Sequence, residues 1–174
     1  MIVFVLGGAK SGKTKWALNY AQSLKNMEKY IYLATALPID KEMEEKILRH
    51  KEEREELWHT IEEPLNLAQR IREIKGNSFV ILIDCLTLWC SNLLYYSKKV
   101  KDHLEELLKE IEHFKKNNDS HLIFVSNEVG MSLVPENPLG REFRELLGWI
   151  NQEIAKRSDE VYFILAGLSL KLKG

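Results

Sequence analysis

GGAKSGKT, running from Gly7 to Thr14, is the stretch whose reading decides the fold of this 174-residue chain. It fits Gly-x4-Gly-Lys-Thr, and its context on either side is as informative as the pattern. Before it stands Ile2-Val3-Phe4-Val5-Leu6, a short apolar and largely β-branched run that reads as a strand. After it, Lys13 to about Asn26 reads as a helix with Trp16, Ala17, Tyr20, Ala21 and Leu24 on one side. A glycine-rich turn that leaves a strand and opens a helix is a phosphate-binding loop. The glycines allow backbone amides to approach an anion with no Cβ in the way, and the helix N-terminus adds partial positive charge. The spacing then hands Lys13 the β- and γ-phosphates of a nucleoside triphosphate, and gives the Thr14 hydroxyl to Mg²⁺.

Outward from the loop, strands and helices alternate. Tyr30–Thr35 reads as a second strand, Lys41–Trp58 as a highly charged helix, and Leu65–Ile74 as a third helix entered through Pro64. Phe79-Val80-Ile81-Leu82-Ile83 is apolar without alternation, as a central parallel strand buried on both faces must be. Helices at Leu86–Tyr95 and Val100–Lys116 follow, then a surface turn at Asn117–Ser120, a strand at His121–Ser126 and a helix at Leu139–Arg157. Glu160–Ala166 reads as the last strand. The expected fold is therefore α/β, one P-loop domain over 1–174 with a mostly parallel central sheet and helices on both faces.

Composition narrows the partners. Lys plus Arg total 25 against 26 Asp plus Glu, so bulk charge offers no footprint for nucleic acid or an anionic membrane. An anionic substrate must be held by a local site. Cys85 and Cys90 are too few for a disulfide framework and have no zinc spacing, so they read as buried thiols. No apolar run approaches the ~20 residues that span a bilayer, and no secretory leader precedes the first strand, so a cytoplasmic location is expected.

A phosphate loop also needs a carboxylate for its metal, and Asp84, directly after the most apolar strand, occupies the usual place. A cap for the following helix is the plainer use of the same residue. In the charged segment, steps of three and four from Met43 reach Ile47, His50, Arg54 and Leu57, so His50 and Arg54 lie on the inward stripe. Periodicity leaves two accounts open: an interior histidine paired with an acid, or a nucleophile for an α-phosphate with Arg54 stabilising charge beside it. Asn127-Glu128 follows a buried strand, where open α/β sheets bind ligands, and is expected to meet substrate or nucleotide. Arg141 and Arg144 read as a solvated helix face, Trp89 and Trp149 as core or subunit contacts, and His59, His103, His113 and His121 as structural.

The residues also carry a resemblance. GGAKSGKT at 7–14, ATALPIDKEMEEKILRHKEER at 34–54, Trp-x-Thr-x-Glu at 58–62 and DCLTLWCSNLL at 84–94 are similar to segments of one enzyme family, in the same order. VSNEVGMSLVPENPLGREFRELLGWINQ at 125–152 and AGLSLKLKG at 166–174 complete the set. The chain resembles the bifunctional adenosylcobinamide kinase/adenosylcobinamide-phosphate guanylyltransferases of cobalamin biosynthesis. The phosphate loop alone is shared by many enzymes; Arg49-His50-x3-Arg54 together with SNEVGMSLVPEN is selective.

The resemblance implies a RecA-like fold, a homotrimer, and two reactions with ATP or GTP. Adenosylcobinamide would be phosphorylated on its aminopropanol hydroxyl; GMP from GTP would then pass to adenosylcobinamide phosphate, giving adenosylcobinamide-GDP and pyrophosphate. His50 falls at the position of the family's guanylylated histidine, with Lys13 as the other catalytic residue. GTP contacts are implied at Gly7, Gly8, Ala9, Lys10, Ser11, Gly12, Lys13 and Thr14 of the loop, and at Ala34, Thr35 and Ala36. Lys51, Glu52, Glu53, Arg54, Glu62 and Asp84 complete that implied set, Thr14 and Asp84 also serving Mg²⁺. Lys10, Thr14, Lys46 and Glu55 depart from the family's commoner residues without touching Lys13, His50 or Asp84. A simple P-loop kinase with an inert His50, or a nucleotide-driven regulatory ATPase, are the competing classes. No basic or extended partner-binding segment favours the latter.

Overall fold

The computed structural model describes residues 1–38, 57–117 and 119–174. Within them, six parallel strands and one antiparallel strand form a single sheet in the order β3-β2-β4-β5-β1-β6-β7. The strands are β1 Ile2–Gly7, β2 Lys29–Ala34, β3 Trp58–Glu62, β4 Phe79–Asp84, β5 His121–Asn127, β6 Glu160–Leu165 and β7 Leu168–Lys173. The helices are α1 Lys13–Ser23, α2 Leu67–Glu73, α3 Leu86–Tyr95, α4 Val100–Asn117 and α5 Pro138–Arg157.

The alternation of side chains along each strand divides the core into two layers. Ile2, Phe4, Ile81, Ile83, Leu122 and Phe124 face the side covered by α2, α3, α4 and α5. Val3, Val5, Val80, Leu82, Ile123 and Val125 face the side where Ala17 and Ala21 of α1 pack. The central strands β1, β4 and β5 are thus apolar on both faces, which is why their sequences show no polar alternation. Each fully buried Phe or Leu among them contributes roughly 1.5–3 kcal/mol. No described helix is long and apolar enough to cross a membrane.

The expected α/β sheet is present, with several differences in detail. The charged segment was expected to stay helical through Trp58, but Trp58 begins β3, an edge strand beside β2. Leu57 is an exposed turn residue, and residues 39–56, which hold the remainder of that expected helix with His50 and Arg54, lie outside the described residues, as does Asn118 of the expected surface turn. Helix α2 runs Leu67–Glu73 rather than from Leu65 to Ile74, because the Glu63 carboxylate accepts from the amides of Leu65 and Asn66 and closes a turn first. Glu160–Leu165 is not the last strand: Ala166 and Gly167, with φ of 49° and 80°, form a two-residue hairpin into β7.

Candidate active site

The phosphate loop joins β1 to α1. Gly12 sits at the N-cap of α1 with φ 91°, and no side chain caps the first amides of that helix. Those amides therefore remain open to an anion. Gly7 must lack a side chain, since a Cβ there would lie 2.5 Å from Ser11 Oγ and 2.6 Å from the Ile164 carbonyl oxygen. The Ser11 hydroxyl is buried and meets no partner among the described residues. Lys13 Nζ donates to the Gly8 carbonyl at 3.1 Å, which holds the ammonium over the loop. Burial lowers the Lys13 pKa, with the Asp84 carboxylate acting the other way. An approaching polyphosphate would offset that desolvation.

The structure brings Asp84 to this loop across 70 positions of sequence: Thr14 Oγ1 donates to Asp84 Oδ2 at 3.0 Å. Tyr32 Oη donates to the same oxygen at 2.6 Å and fixes the carboxylate from β2. A hydroxyl and a carboxylate held together beside a phosphate loop are hard oxygen donors. They suit Mg²⁺, which takes few protein ligands and completes its shell with water and substrate phosphates.

Ala34, Glu62 and Asp84 end their strands level with one another, Ala34 pairing with both Glu62 and Asp84. Trp58, Tyr32 and Leu82, two residues or four before these ends, belong to the α1-side layer. By strand alternation the three ends share that face. Thr35 is fully buried. Its hydroxyl donates to the Cys85 carbonyl at 2.8 Å and accepts from the Cys85 amide at 2.7 Å, and its amide donates to the Asp84 carbonyl at 3.1 Å. Thr35 thus locks the β2 and β4 ends together through its side chain, while Ala34 and Ala36 remain partly accessible. Lys51, Glu52, Glu53, Arg54 and His50 lie outside the described residues.

Cys85 and Cys90 are buried free thiols, as expected. Burial pushes each up to about 12, so neither supplies a thiolate at neutral pH. Trp89 is core: it is 1% exposed, and its Nε1 donates to the Leu65 carbonyl at 2.7 Å. Glu128 caps its own turn, its Oε1 accepting from the Gly130 and Met131 amides. Arg141 and Arg144 are not merely a solvated face. Arg141 donates to the carbonyls of Pro135 and Glu136, and Arg144 to that of Gly130, so both tie the β5–α5 loop to its helix. With Trp149 they line a cleft of about 430 Å³. Burial lowers the His121 pKa, in keeping with a structural histidine.

Sequence reasoning missed the part played by the β6–β7 hairpin. The Gly167 amide donates to the Ser11 carbonyl at 2.9 Å, and Gly167 Cα stands 3.4 Å from where a Gly12 Cβ would be. The hairpin is latched to α1 through Glu160, which accepts from Tyr20 at 2.7 Å, Tyr162 at 2.9 Å and Lys171 at 2.8 Å. Alternation of Leu168, Leu170 and Leu172 after Ala166-Gly167 was the available signal.

Comparison with known proteins agrees with this geometry. The profile of the family described as "Cobinamide kinase / cobinamide phosphate guanyltransferase" matches residues 3–172. A protein of Pseudomonas aeruginosa named "Bifunctional adenosylcobalamin biosynthesis protein CobP" is 38% identical over 172 residues, covering 98% of this chain and 96% of its own. The Escherichia coli protein named "Bifunctional adenosylcobalamin biosynthesis protein CobU" is 32% identical over 185 residues, covering 99% of this chain and all of its own (100%). Among solved structures, a prototypical ATPase from the type III secretion system of pathogenic bacteria superposes with a TM-score of 0.61. It is 10% identical, with 98% of this chain and 56% of that one covered, and it bears on the fold alone. A phosphate loop facing a strand-end carboxylate, on an ATPase-type sheet, with relatives matched end to end, places this chain in the family of bifunctional cobinamide kinases and cobinamide-phosphate guanyltransferases.

Proposed function

We propose that this chain, as one domain, phosphorylates adenosylcobinamide on its aminopropanol hydroxyl with ATP or GTP, and then guanylylates the product through His50. The observation that carries the reading is the Thr14–Asp84 contact at 3.0 Å, which joins a hydroxyl and a carboxylate beside the phosphate loop and supports their use as a metal-binding pair. Mg²⁺ held by Thr14 and Asp84 would neutralise charge on the polyphosphate in either reaction. Lys13 binds the β- and γ-phosphates, and the loop amides with the α1 N-terminus orient the chain of phosphates between them.

In the kinase step the acceptor hydroxyl oxygen bonds to the γ-phosphorus as its bond to the β–γ bridging oxygen breaks. In the second reaction an imidazole nitrogen of His50 bonds to the α-phosphorus of GTP, and pyrophosphate leaves with the bonding pair. A phosphate oxygen of adenosylcobinamide phosphate then displaces the neutral imidazole, giving adenosylcobinamide-GDP. Ala34, Ala36, Glu62 and the segment Lys51–Arg54 are the proposed surroundings of the guanosine in that step. The shared α1 face of Ala34, Glu62 and Asp84 supports this grouping.

A homotrimer in the cytoplasm is part of the same reading. The exposed Leu165, Leu168, Leu170 and Leu172 on the hairpin support association, because a monomer gains nothing by presenting such a row to water. Incubation with GTP radiolabelled at the α-phosphate tests the central claim. The protein is expected to take up an acid-labile, alkali-stable label in the presence of Mg²⁺, and His50→Ala to take up none. An unlabelled wild type, or a fully labelled His50→Ala, would overturn the histidine route.

A further inference from the structure

Strand β5 lies between β1, which carries the phosphate loop, and β4, which carries Asp84. Its last residue, Asn127, is in register with Gly7, and Val125 is in register with Asp84. Ile123 and Val125 belong to the α1-side layer, as do Val80 and Leu82 before Asp84. Continuing both alternations puts the side chains of Asn127 and Asp84 on one face, the face of the loop, with Asn127 one pleat further out.

The backbone of Asn127 is pinned from the opposite side of the sheet. Its amide donates to Thr87 Oγ1 at 2.7 Å, and its carbonyl accepts from Asn151 Nδ2 at 3.2 Å. Glu128, the next residue, donates its amide to the Gly7 carbonyl at 3.1 Å. The side chain is different: Asn127 Oδ1 is buried and meets no donor among the described residues. A buried carbonyl left without a donor costs about 1–3 kcal/mol, so a residue fixed this firmly and still unpaired points to a ligand as its partner. Glu128, its neighbour, is already spent on capping the turn.

We infer that Asn127 is a catalytic residue of the phosphoryl transfer, its carboxamide bridging the γ-phosphate and the acceptor hydroxyl. This rests on the phosphate-loop reading given above. The amide Nδ2 donates to a non-bridging γ-oxygen, and Oδ1 accepts from the hydroxyl that attacks. One new O–P bond forms at the γ-phosphorus, and the bond to the β–γ bridging oxygen breaks with its electron pair leaving on the nucleoside diphosphate. Asn127 takes no proton. In a loose transition state the hydroxyl proton departs late, onto an oxygen of the transferred group and from there to water. The gain is alignment of nucleophile with phosphorus, and it has no counterpart in attack on the α-phosphate.

The test sets the two reactions of the same enzyme against each other. Asn127→Ala and the isosteric Asn127→Asp are assayed with adenosylcobinamide for kinase turnover, and with α-labelled GTP for self-guanylylation. Kinase kcat is expected to fall about 10–100-fold for the loss of an oriented transition-state contact. The KM for nucleotide is expected to move about threefold or less, since Lys13 and the loop amides carry ground-state binding. The ratio of kinase to self-guanylylation rate should therefore drop at least tenfold in both variants. Equal losses in both reactions together with a lowered melting temperature would make Asn127 a structural residue and overturn the inference, as would unchanged kinase turnover. A wild type lacking self-guanylylation would instead count against the His50 route, leaving the kinase kcat and KM split of the two variants to decide for Asn127.

Discussion

Gly7→Ala and Gly8→Ala differ by one position in the loop, yet the structure separates them sharply. A Cβ on Gly7 would stand 2.6 Å from the Ile164 carbonyl oxygen and 2.5 Å from Ser11 Oγ, whereas ordinary contact begins at 3.4 Å. The Ser11 hydroxyl can turn away. The Ile164 carbonyl belongs to β6, paired with Gly7 itself, and has to retreat by the difference, 0.8 Å, against its ladder hydrogen bonds. Overpacking of that kind costs about 1–3 kcal/mol, and a backbone obstacle belongs at the upper part of that range, about 2–3 kcal/mol. For a chain of this size each kcal/mol lowers the melting temperature by about 2–4 °C, so Gly7→Ala should melt roughly 4–12 °C below wild type. A Cβ on Gly8 meets nothing within 4 Å, so Gly8→Ala should melt with wild type. Thermal unfolding followed by circular dichroism measures both, and a fluorescent nucleotide titration shows whether Gly7→Ala also loses triphosphate binding as β1 and β6 part. A Gly7→Ala protein that melts within a degree of wild type and keeps its nucleotide affinity would refute the argument.

Two further outcomes test the braces around the site. Thr35→Val keeps the shape but strands the buried Cys85 amide that Thr35 Oγ1 now accepts from, which should cost about 1–3 kcal/mol in urea unfolding; a midpoint equal to wild type would contradict it. The hairpin latch should be acid-sensitive. The Lys171 ammonium, outweighing burial, holds the Glu160 carboxyl below the usual carboxylate range; for Asp159, burial pulls the other way, yet the Ile2 amide and Lys115 keep it low as well. A depressed carboxylate stabilises the fold above its unfolded pKa and loses that contribution as pH falls through the folded value. Denaturant midpoints taken downward from neutral pH should thus fall through the carboxylate range, less steeply in Glu160→Gln, and parallel curves for the two proteins would dismiss the latch.

How much of this was readable beforehand depended on whether the information is local. The phosphate loop, the apolar run Phe79–Ile83 and Asp84 after it are local signals, and each stands where the sequence suggested. Strand β3 was lost because the charged 41–57 stretch carries a strong helical period that absorbs Trp58, and only Trp58, Thr60 and Glu62 alternate beyond it. An edge strand needs little apolar sequence, since one long side of it is unpaired. Strand β7 was missed although Leu168-Ser169-Leu170-Lys171 alternates, and nothing in those residues says that Gly167 will reach the Ser11 carbonyl. The Arg141 and Arg144 side chains look solvated by periodicity, and only the path of the β5–α5 loop gives them carbonyls to hold. The hairpin's contact with the loop joins segments far apart in the chain, which no local pattern encodes.

The same distinction explains why the carboxyl edge of the sheet divides its labour between two faces. Parallel strands end in loops on one edge, and alternation sends successive residues to opposite sides there. On the α1 side stand Asp84, Ala34 and Glu62, with Lys13 and Thr14 from the loop above them. On the other side α3 and α5 supply braces rather than reactants. Thr87 holds the Asn127 amide, Asn92 donates to the carbonyls of Thr35 and Pro64, Trp89 to that of Leu65, and Asn151 to that of Asn127. The bonds to Thr35 and Asn127 end on strand-end backbone atoms of the site, and those to Pro64 and Leu65 fix the loop that follows Glu62. The buried polar residues Thr87, Asn92 and Asn151 therefore position the strand ends on whose α1 face the proposed chemistry takes place. Loss of a brace should weaken both transfer reactions together, whereas loss of a group on the α1 face can separate them, because attack at the γ- and the α-phosphorus calls on different groups.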